Sequence, residues 1–206
     1  MALFSEVTGI ESYTDYIWTP EVRDVTWLYH TEGILLEVKK VVVCTNYTLQ
    51  LAEQLERAKY FWDARALLPL ESVLLKWFET LEHHLWWEKS VLTYIPIGLN
   101  RLVQRGFNQW YFLAWLLSRS RKLLRIQNFF ILWSSGHQAH KSRKERLKSV
   151  FRFYKKFRRV SLTDTPVVII DDVISTGSTL ENYSQALLKQ GYTQIYVLVL
   201  ARRDQE

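Results

Sequence analysis

Two adjacent carboxylates, Asp171 and Asp172, stand just ahead of a run of small and hydroxylated residues: Ser175, Thr176, Gly177, Ser178 and Thr179. An ionised carboxylate only accepts hydrogen bonds, so a neighbouring pair suits the two hydroxyls of a ribose, directly or through Mg²⁺. The run that follows offers successive backbone N–H groups and four side-chain hydroxyls, with Gly177 free to take positive φ and let a ligand approach closely. With a helix opening behind it, such a loop is an anion cradle suited to a phosphate. Ribose diol and phosphate side by side suggest a ribose 5-phosphate.

The flanking elements are those that would position these groups. Val167, Val168, Ile169 and Ile170 form an unbroken aliphatic run, the pattern of a strand buried on both faces of a parallel sheet and ending at the carboxylates. A helical pattern from Thr179 to Gln190 is closed by Gly191, and Gln194 to Leu200 reads as the next strand. Strand, helix and strand in this order make a right-handed parallel crossover, and ligands of such sheets sit outside the strands' carboxyl ends. Two other readings stand beside this one: a strand ending in a solvated acidic turn, and the acidic strand end of a P-loop ATPase. The second lacks the Gly-x-x-x-x-Gly-Lys-Ser/Thr loop it needs.

Upstream, Trp27 to Val43 reads as a short strand and turn around Gly33, followed by a segment compatible with helix or strand. Leu49, Ala52 and Leu55, with Leu51 and Ala58, give helical spacing to Asn46–Trp62. A second helix is predicted from Ser72 to Trp87. Val91–Ile97 is an apolar strand interrupted only by Thr93, Gln109–Arg119 an apolar helix, and Ile126–Trp133 a further strand.

Within its 206 residues the chain has room for one sizeable core. The single Cys44 excludes an internal disulfide and a multi-cysteine zinc site, and fits a reducing cytoplasm. No apolar run approaches the roughly eighteen residues of a membrane span, so a soluble cytoplasmic protein is expected. The net charge of +6 is unevenly spread: between His137 and Arg159 ten Lys and Arg face only Glu145, so this segment carries +9 and the remainder −3 (6 minus 9). Basicity confined to one segment points to a polyanionic ligand or partner there.

The run from Val167 to Thr179 resembles the signature of type I phosphoribosyltransferases: four apolar residues, Asp-Asp, two apolar residues, any residue, then Thr-Gly-x-Thr. A second likeness narrows this. Pro96-Ile97-Gly98-Leu99-Asn100-Arg101 followed by Arg105-Gly106-Phe107-Asn108-Gln109 is similar to the Pro-x-Pro…Arg-Gly-Phe-Asn-Gln segment of ComF-type competence proteins. His137-Gln138 and the Arg143–Leu147 run resemble another stretch of that family, and Trp27–Gly33 its opening Tyr-x-Gly strand. Gly98, Asn100 and Ser149 depart from the family pattern, and the four-cysteine zinc ribbon with which those proteins commonly open has no counterpart here.

The resemblance implies an α/β fold, a type I phosphoribosyltransferase-like parallel sheet flanked by helices with a small cap region, over residues 27–204 behind an N-terminal segment 1–26. It implies a site for 5-phospho-α-D-ribosyl 1-diphosphate with Mg²⁺ held by Asp171 and Asp172. Displacement of pyrophosphate by a nitrogen nucleophile would be the reaction, with Asp171, Asp172 and Arg105 as its catalytic residues. Ser175, Thr176, Gly177, Ser178 and Thr179 would bind the 5-phosphate. Around Arg101, Arg105, Gly106 and Asn108 two readings stay open: a pyrophosphate loop neutralised by the arginines, or helix capping by Arg105 and Asn108 with Phe107 in the core. The segment from His137 to Lys148 sits where these enzymes carry a loop that closes over substrate; a solvated basic helix is the other reading. The family's association with DNA uptake and transformation brings in single-stranded DNA or DNA-uptake proteins as partners. Lys155, Lys156, Arg158 and Arg159, interleaved with aromatics, suit a phosphate backbone, against the alternative of core rings and solvated cations. Oligomeric state stays open.

Overall fold

The computed structural model describes residues 23–31, 33, 35, 37–60, 64–70, 90–120, 125–128, 130–133, 150–153 and 165–203. Aliphatic runs able to be buried on both faces become its central strands. β7 (Val167–Ile174) and β8 (Ile195–Arg202) pair in parallel from Val167↔Ile195 to Ile174↔Arg202. β2 (Lys40–Asn46) flanks β8, and β3 (Val91–Tyr94) flanks β7. Beyond them lie two-residue strands: β1 (Arg23–Asp24), antiparallel on β2, and β4 (Arg125–Ile126), parallel on β3. The order β1-β2-β8-β7-β3-β4 is thus a parallel α/β sheet with one antiparallel edge. Val41, Val43, Val167, Val168, Ile169, Val197 and Val199 are buried in it.

Among the described residues, the longer helices against the sheet are α2 (Leu49–Tyr60), α4 (Gln109–Ser120) and α5 (Ser178–Leu188). From β7 the chain crosses to β8 on one side, whereas from β3 it crosses to β4 on the other. Right-handed crossovers in opposite directions put their helices on opposite faces. Side-chain contacts agree. Thr93 of β3 meets Tyr183 of α5, while its neighbour Tyr94 meets Tyr111 of α4. The carboxyl ends of β3 and β7 therefore flank a topological switch point, where open α/β sheets bind ligands.

The expected helices over Asn46–Trp62, Gln109–Arg119 and Thr179–Gln190 are present as α2, α4 and α5. Four details differ from expectation. The strand expected over Trp27–Gly33 is a helix, α1 (Thr26–Thr31), because Asp24 Oδ1 accepts from Thr26 N–H at 3.0 Å and from its hydroxyl at 2.5 Å, turning the chain. β7 does not stop before the carboxylates: Asp171, Val173 and Ile174 keep ladder partners Val199, Ala201 and Arg202. The expected strand Ile126–Trp133 is two strands. After Gln127 N–H bonds Leu92 O, the chain leaves the main sheet, and β5 (Phe130–Trp133) pairs antiparallel with β6 (Val150–Phe153) in a separate ribbon. Leu49, expected on the apolar face of α2, is exposed, and the buried face is Leu51, Gln54, Leu55 and Ala58.

The predicted helix Ser72–Trp87 and the basic residues between β5 and β6 lie outside the described residues, as do Lys155, Lys156, Arg158 and Arg159. Among the described residues no helix is long and apolar enough to cross a membrane. Cys44 is buried, and that burial pushes its thiol well above the ordinary value.

Candidate functional site

At the carboxyl end of β7 the chain turns through Ser175–Gly177 and enters α5. Gly177 takes the left-handed conformation, φ 71° and ψ −5°, and caps the helix. A Cβ there would be strained, so glycine is what lets the turn form. The first intrahelical bond of α5 runs from Glu181 N–H to Gly177 O at 2.8 Å. The N–H groups of Ser178, Thr179 and Leu180 therefore have no partner within the helix and carry its positive end. Thr176 and Ser178 hydroxyls lie 3.1 Å apart across the turn. Asp171, Val173 and the run Ile174–Leu180 line an open pocket of about 50 Å³, several times the ~10–15 Å³ a water molecule needs. The one acid of the helix's first turn, Glu181, is engaged elsewhere, accepting from Leu35 N–H and from Gln185 Nε2.

Strand periodicity separates the two carboxylates. Thr93 is registered on Ile169, so Ile169, Asp171 and Val173 share the α5 face, whereas Ile170 and Asp172 share the opposite one. Asp171, half-buried, lines the pocket, and its Oδ1 accepts from Asp172 N–H at 2.9 Å. Burial, and then the Asp172 carboxylate beside it, push the Asp171 carboxyl well above the usual range. Asp172 is 5% exposed and its Oδ2 meets Lys59 Nζ from the last turn of α2. Lys59 also lies over the Trp110 ring of α4, 5.4 Å from its centroid.

After β3, residues 95–98 lead into α3 (Leu99–Arg105), which closes at Gly106 in the left-handed conformation. Arg101 and Arg105 are thus helical residues, not loop residues. Arg105 lies 5.5 Å from the Tyr60 ring centroid. Asn108 caps α4, its Oδ1 accepting from Trp110 N–H at 2.9 Å while its Nδ2 donates to Ile95 O at 3.4 Å. Phe107 packs against the core. The capping reading holds for Asn108, which also ties the loop after β3 to the helix that follows. Ser175, Thr176, Gly177, Ser178, Thr179 and Asp171 are brought together in one pocket; Arg105, Gly106 and Asn108 are not among its lining residues.

Two residues were not singled out from the sequence. Lys59 carried a signal: it lies at i+4 from Leu55 and i+8 from Leu51, on the buried stripe of α2, where a cation needs a partner. Gln109 is 1% exposed, and among the described residues neither its Oε1 nor its Nε2 has a hydrogen-bond partner.

Hard oxygen donors of this kind suit Mg²⁺, which commonly takes one or two carboxylates and completes its shell with water and ligand phosphates. Among the described residues no three His, Cys, Asp or Glu form a metal cluster.

No protein-family model matches the chain. The likeness to solved structures is partial. A hypoxanthine phosphoribosyltransferase of Staphylococcus aureus overlaps with a TM-score of 0.39 at 17% identity, covering 62% of this chain and 65% of that one. One of Trypanosoma cruzi overlaps with a TM-score of 0.40 at 13% identity, covering 75% and 65%. Sequence relatives are nearer. The chain is 29% identical over 177 residues to competence protein ComFC of Bacillus subtilis, covering 85% of this chain and 65% of that protein. It is 30% identical over 118 residues to DNA utilization protein YhgH of Salmonella typhi, 52% of this chain and 47% of that one. Against competence protein F of Haemophilus influenzae it is 30% identical over 173 residues, spanning 79% of this chain and 72% of that protein. On that extent of likeness, joined to the motif at the end of β7, the chain belongs to the ComF family of competence proteins.

Proposed function

We propose that this protein binds 5-phospho-α-D-ribosyl 1-diphosphate, or a related ribose 5-phosphate, with Mg²⁺ at the carboxyl edge between β3 and β7. The observation that carries the reading is the shared pocket of Asp171 and the Ser175–Thr179 turn at the foot of α5. The first-turn N–H groups of Ser178, Thr179 and Leu180, which have no partner within the helix, and the hydroxyls beside them receive the 5-phosphate, aided by the helix dipole. Asp171 accepts from the ribose hydroxyls one strand position away. Mg²⁺ would be held on the carboxylate side of the pocket, at Asp171, with Asp172 contributing its charge from behind the strand, and would supply positive charge against the ligand's pyrophosphate. Arg105 and Arg101, on the helix after β3, are the cations nearest in sequence to that side of the site. Displacement of pyrophosphate by a nitrogen nucleophile is the reaction this ligand supports. In such a reaction the chain's work is orientation and charge stabilisation.

The names of the relatives attach to competence and DNA utilization, so we extend a role linked to DNA uptake to this chain, in the cytoplasm. They also favour a second reading, in which Lys155, Lys156, Arg158 and Arg159 hold single-stranded DNA without any transferase chemistry.

Isothermal titration with the ribosyl diphosphate tests the first reading. Binding should depend on Mg²⁺ and be lost in a folded Asp171→Ala/Asp172→Ala protein. Unchanged binding by that protein overturns it.

A further inference from the structure

One of the two motif carboxylates is already neutralised from within the chain. Asp172 is buried, and its Oδ2 meets the Lys59 ammonium. That ammonium also rests on the face of Trp110, so a ring and a carboxylate hold it together. The Lys59 side chain is 22% exposed. Its place on the Leu51–Leu55 stripe is set by the packing of α2 against the sheet, so it is not a surface arm that swings in. Asp171 is placed differently. It faces the other side of the sheet and opens into the pocket, and although the Lys59 charge is felt there, no salt bridge among the described residues engages it.

We propose that Lys59 is a built-in cation of the ribose-phosphate site, taking at Asp172 the place of a divalent ion and leaving Asp171 as the carboxylate through which Mg²⁺ acts. The inference rests on the ribose-phosphate reading above. Its logic is charge balance. Two adjacent carboxylates beside an incoming polyanion need positive charge, and a buried carboxylate needs it most, since an unpaired buried charge is strongly unfavourable. With Lys59 in place, the charge of Asp172 is balanced before any ligand arrives. Without Lys59, Asp172 repels the ligand unless a divalent ion neutralises it. Lys59 is thus a positioning residue, acting through Asp172.

The test reads the ratio of ribosyl diphosphate affinity with Mg²⁺ to affinity without it, by isothermal titration of the full chain, with thermal melts to verify folding. Lys59→Met should raise that ratio at least about tenfold, and Lys59→Arg should leave it at the wild-type value. Lys59→Met/Asp172→Asn, which removes both charges, should return it toward wild type. Asp171→Asn should bring it close to one. A ratio unchanged in folded Lys59→Met overturns the proposal, as does an Asp171→Asn protein that keeps its full Mg²⁺ effect. If Lys59→Met fails to fold, Lys59→Arg against Asp171→Asn and Asp172→Asn decides: a Mg²⁺ effect lost with Asp172 and kept with Asp171 overturns it. Should the wild-type chain bind no ribosyl diphosphate with or without Mg²⁺, the ribose-phosphate reading falls and this proposal with it. Wild-type binding with a ratio indifferent to Lys59 removes this proposal alone.

Discussion

Thr93 of β3 and Tyr183 of α5 share a hydrogen bond of 2.7 Å between their hydroxyls, both side chains being fully buried. The bond fastens the helix of the phosphate cradle to the strand on the far side of the switch point. It also explains why a hydroxyl interrupts an otherwise apolar strand. Burial pushes the Tyr183 phenol up, which favours the neutral hydroxyl that this bond uses.

Tyr183→Phe should therefore destabilise the fold by about 1–3 kcal/mol, because the Thr93 hydroxyl is left buried without a partner. Adding Thr93→Val should recover part of that loss. Urea unfolding of the two single variants and the double variant measures both effects, and additive losses would contradict the pairing.

Gly177→Ala must place a Cβ at φ 71°. A stability loss of roughly 1–2 kcal/mol is expected, together with weaker binding of ribose 5-phosphate. Ser178→Ala, which removes a hydroxyl and keeps the backbone, should cost less of both. Calorimetry with ribose 5-phosphate compares them.

Asp171 gives a pH signature. Its folded-state pKa is raised above the unfolded value of 3.8, so from that pH upward the folded state binds more protons than the unfolded chain. Stability then falls as pH rises through this window. Asp171→Asn cannot ionise, so its melting temperature should exceed the wild type's at neutral pH, by roughly 2–4 °C for each kcal/mol relieved. The gap should close below pH 3.8. Melting curves across that range check it, and a variant less stable than wild type at neutrality would contradict the assignment.

Gln109 presents the opposite situation, a buried amide whose hydrogen-bonding groups are unused. Gln109→Met keeps the volume and removes the polar cost, so it should raise stability by about 1 kcal/mol. A loss of that size, read by urea unfolding, would reveal a partner for the amide.

Single-stranded DNA binding, if carried by the segment from Lys148 to Arg159 with Lys155, Lys156, Arg158 and Arg159 at its centre, must weaken with salt. Four to six engaged cations give a slope of about −3 to −4 in log affinity against log salt. Replacing the four with Ser should flatten it, and Asp171→Asn should not. Fluorescence anisotropy at three or more salt concentrations decides.

The parts of this fold legible in the sequence are those where the burial signal is unambiguous. Val167–Ile170 and Gln194–Leu200 could only be central strands, and Gly191 ended the helix between them. The run Ser175–Thr179 declared itself by composition. What could not be read depended on partners remote in the chain. β7 runs on through Asp171 because β8 continues beside it. α1 forms where Trp27 and Tyr29 favour strand, because Asp24 captures Thr26. Spacing alone placed Asp171 and Asp172 together, whereas alternation along the strand turns them to opposite faces. Lys59 was visible as a cation on an apolar stripe, but only the fold names Asp172 as the reason.

Among the described residues, the border strands of the main sheet, β1 and β4, each extend over two residues, and β1 begins with Arg23 and ends with Asp24. A sheet finished in this way offers little template for another chain to extend it, since a short, charged border cannot sustain a ladder. Strand addition is thereby disfavoured both as a route to aggregation and as a way for a partner to dock. A partner meeting these two borders would then have to read side chains on neighbouring helices and loops, its specificity written in those surfaces rather than in backbone pairing.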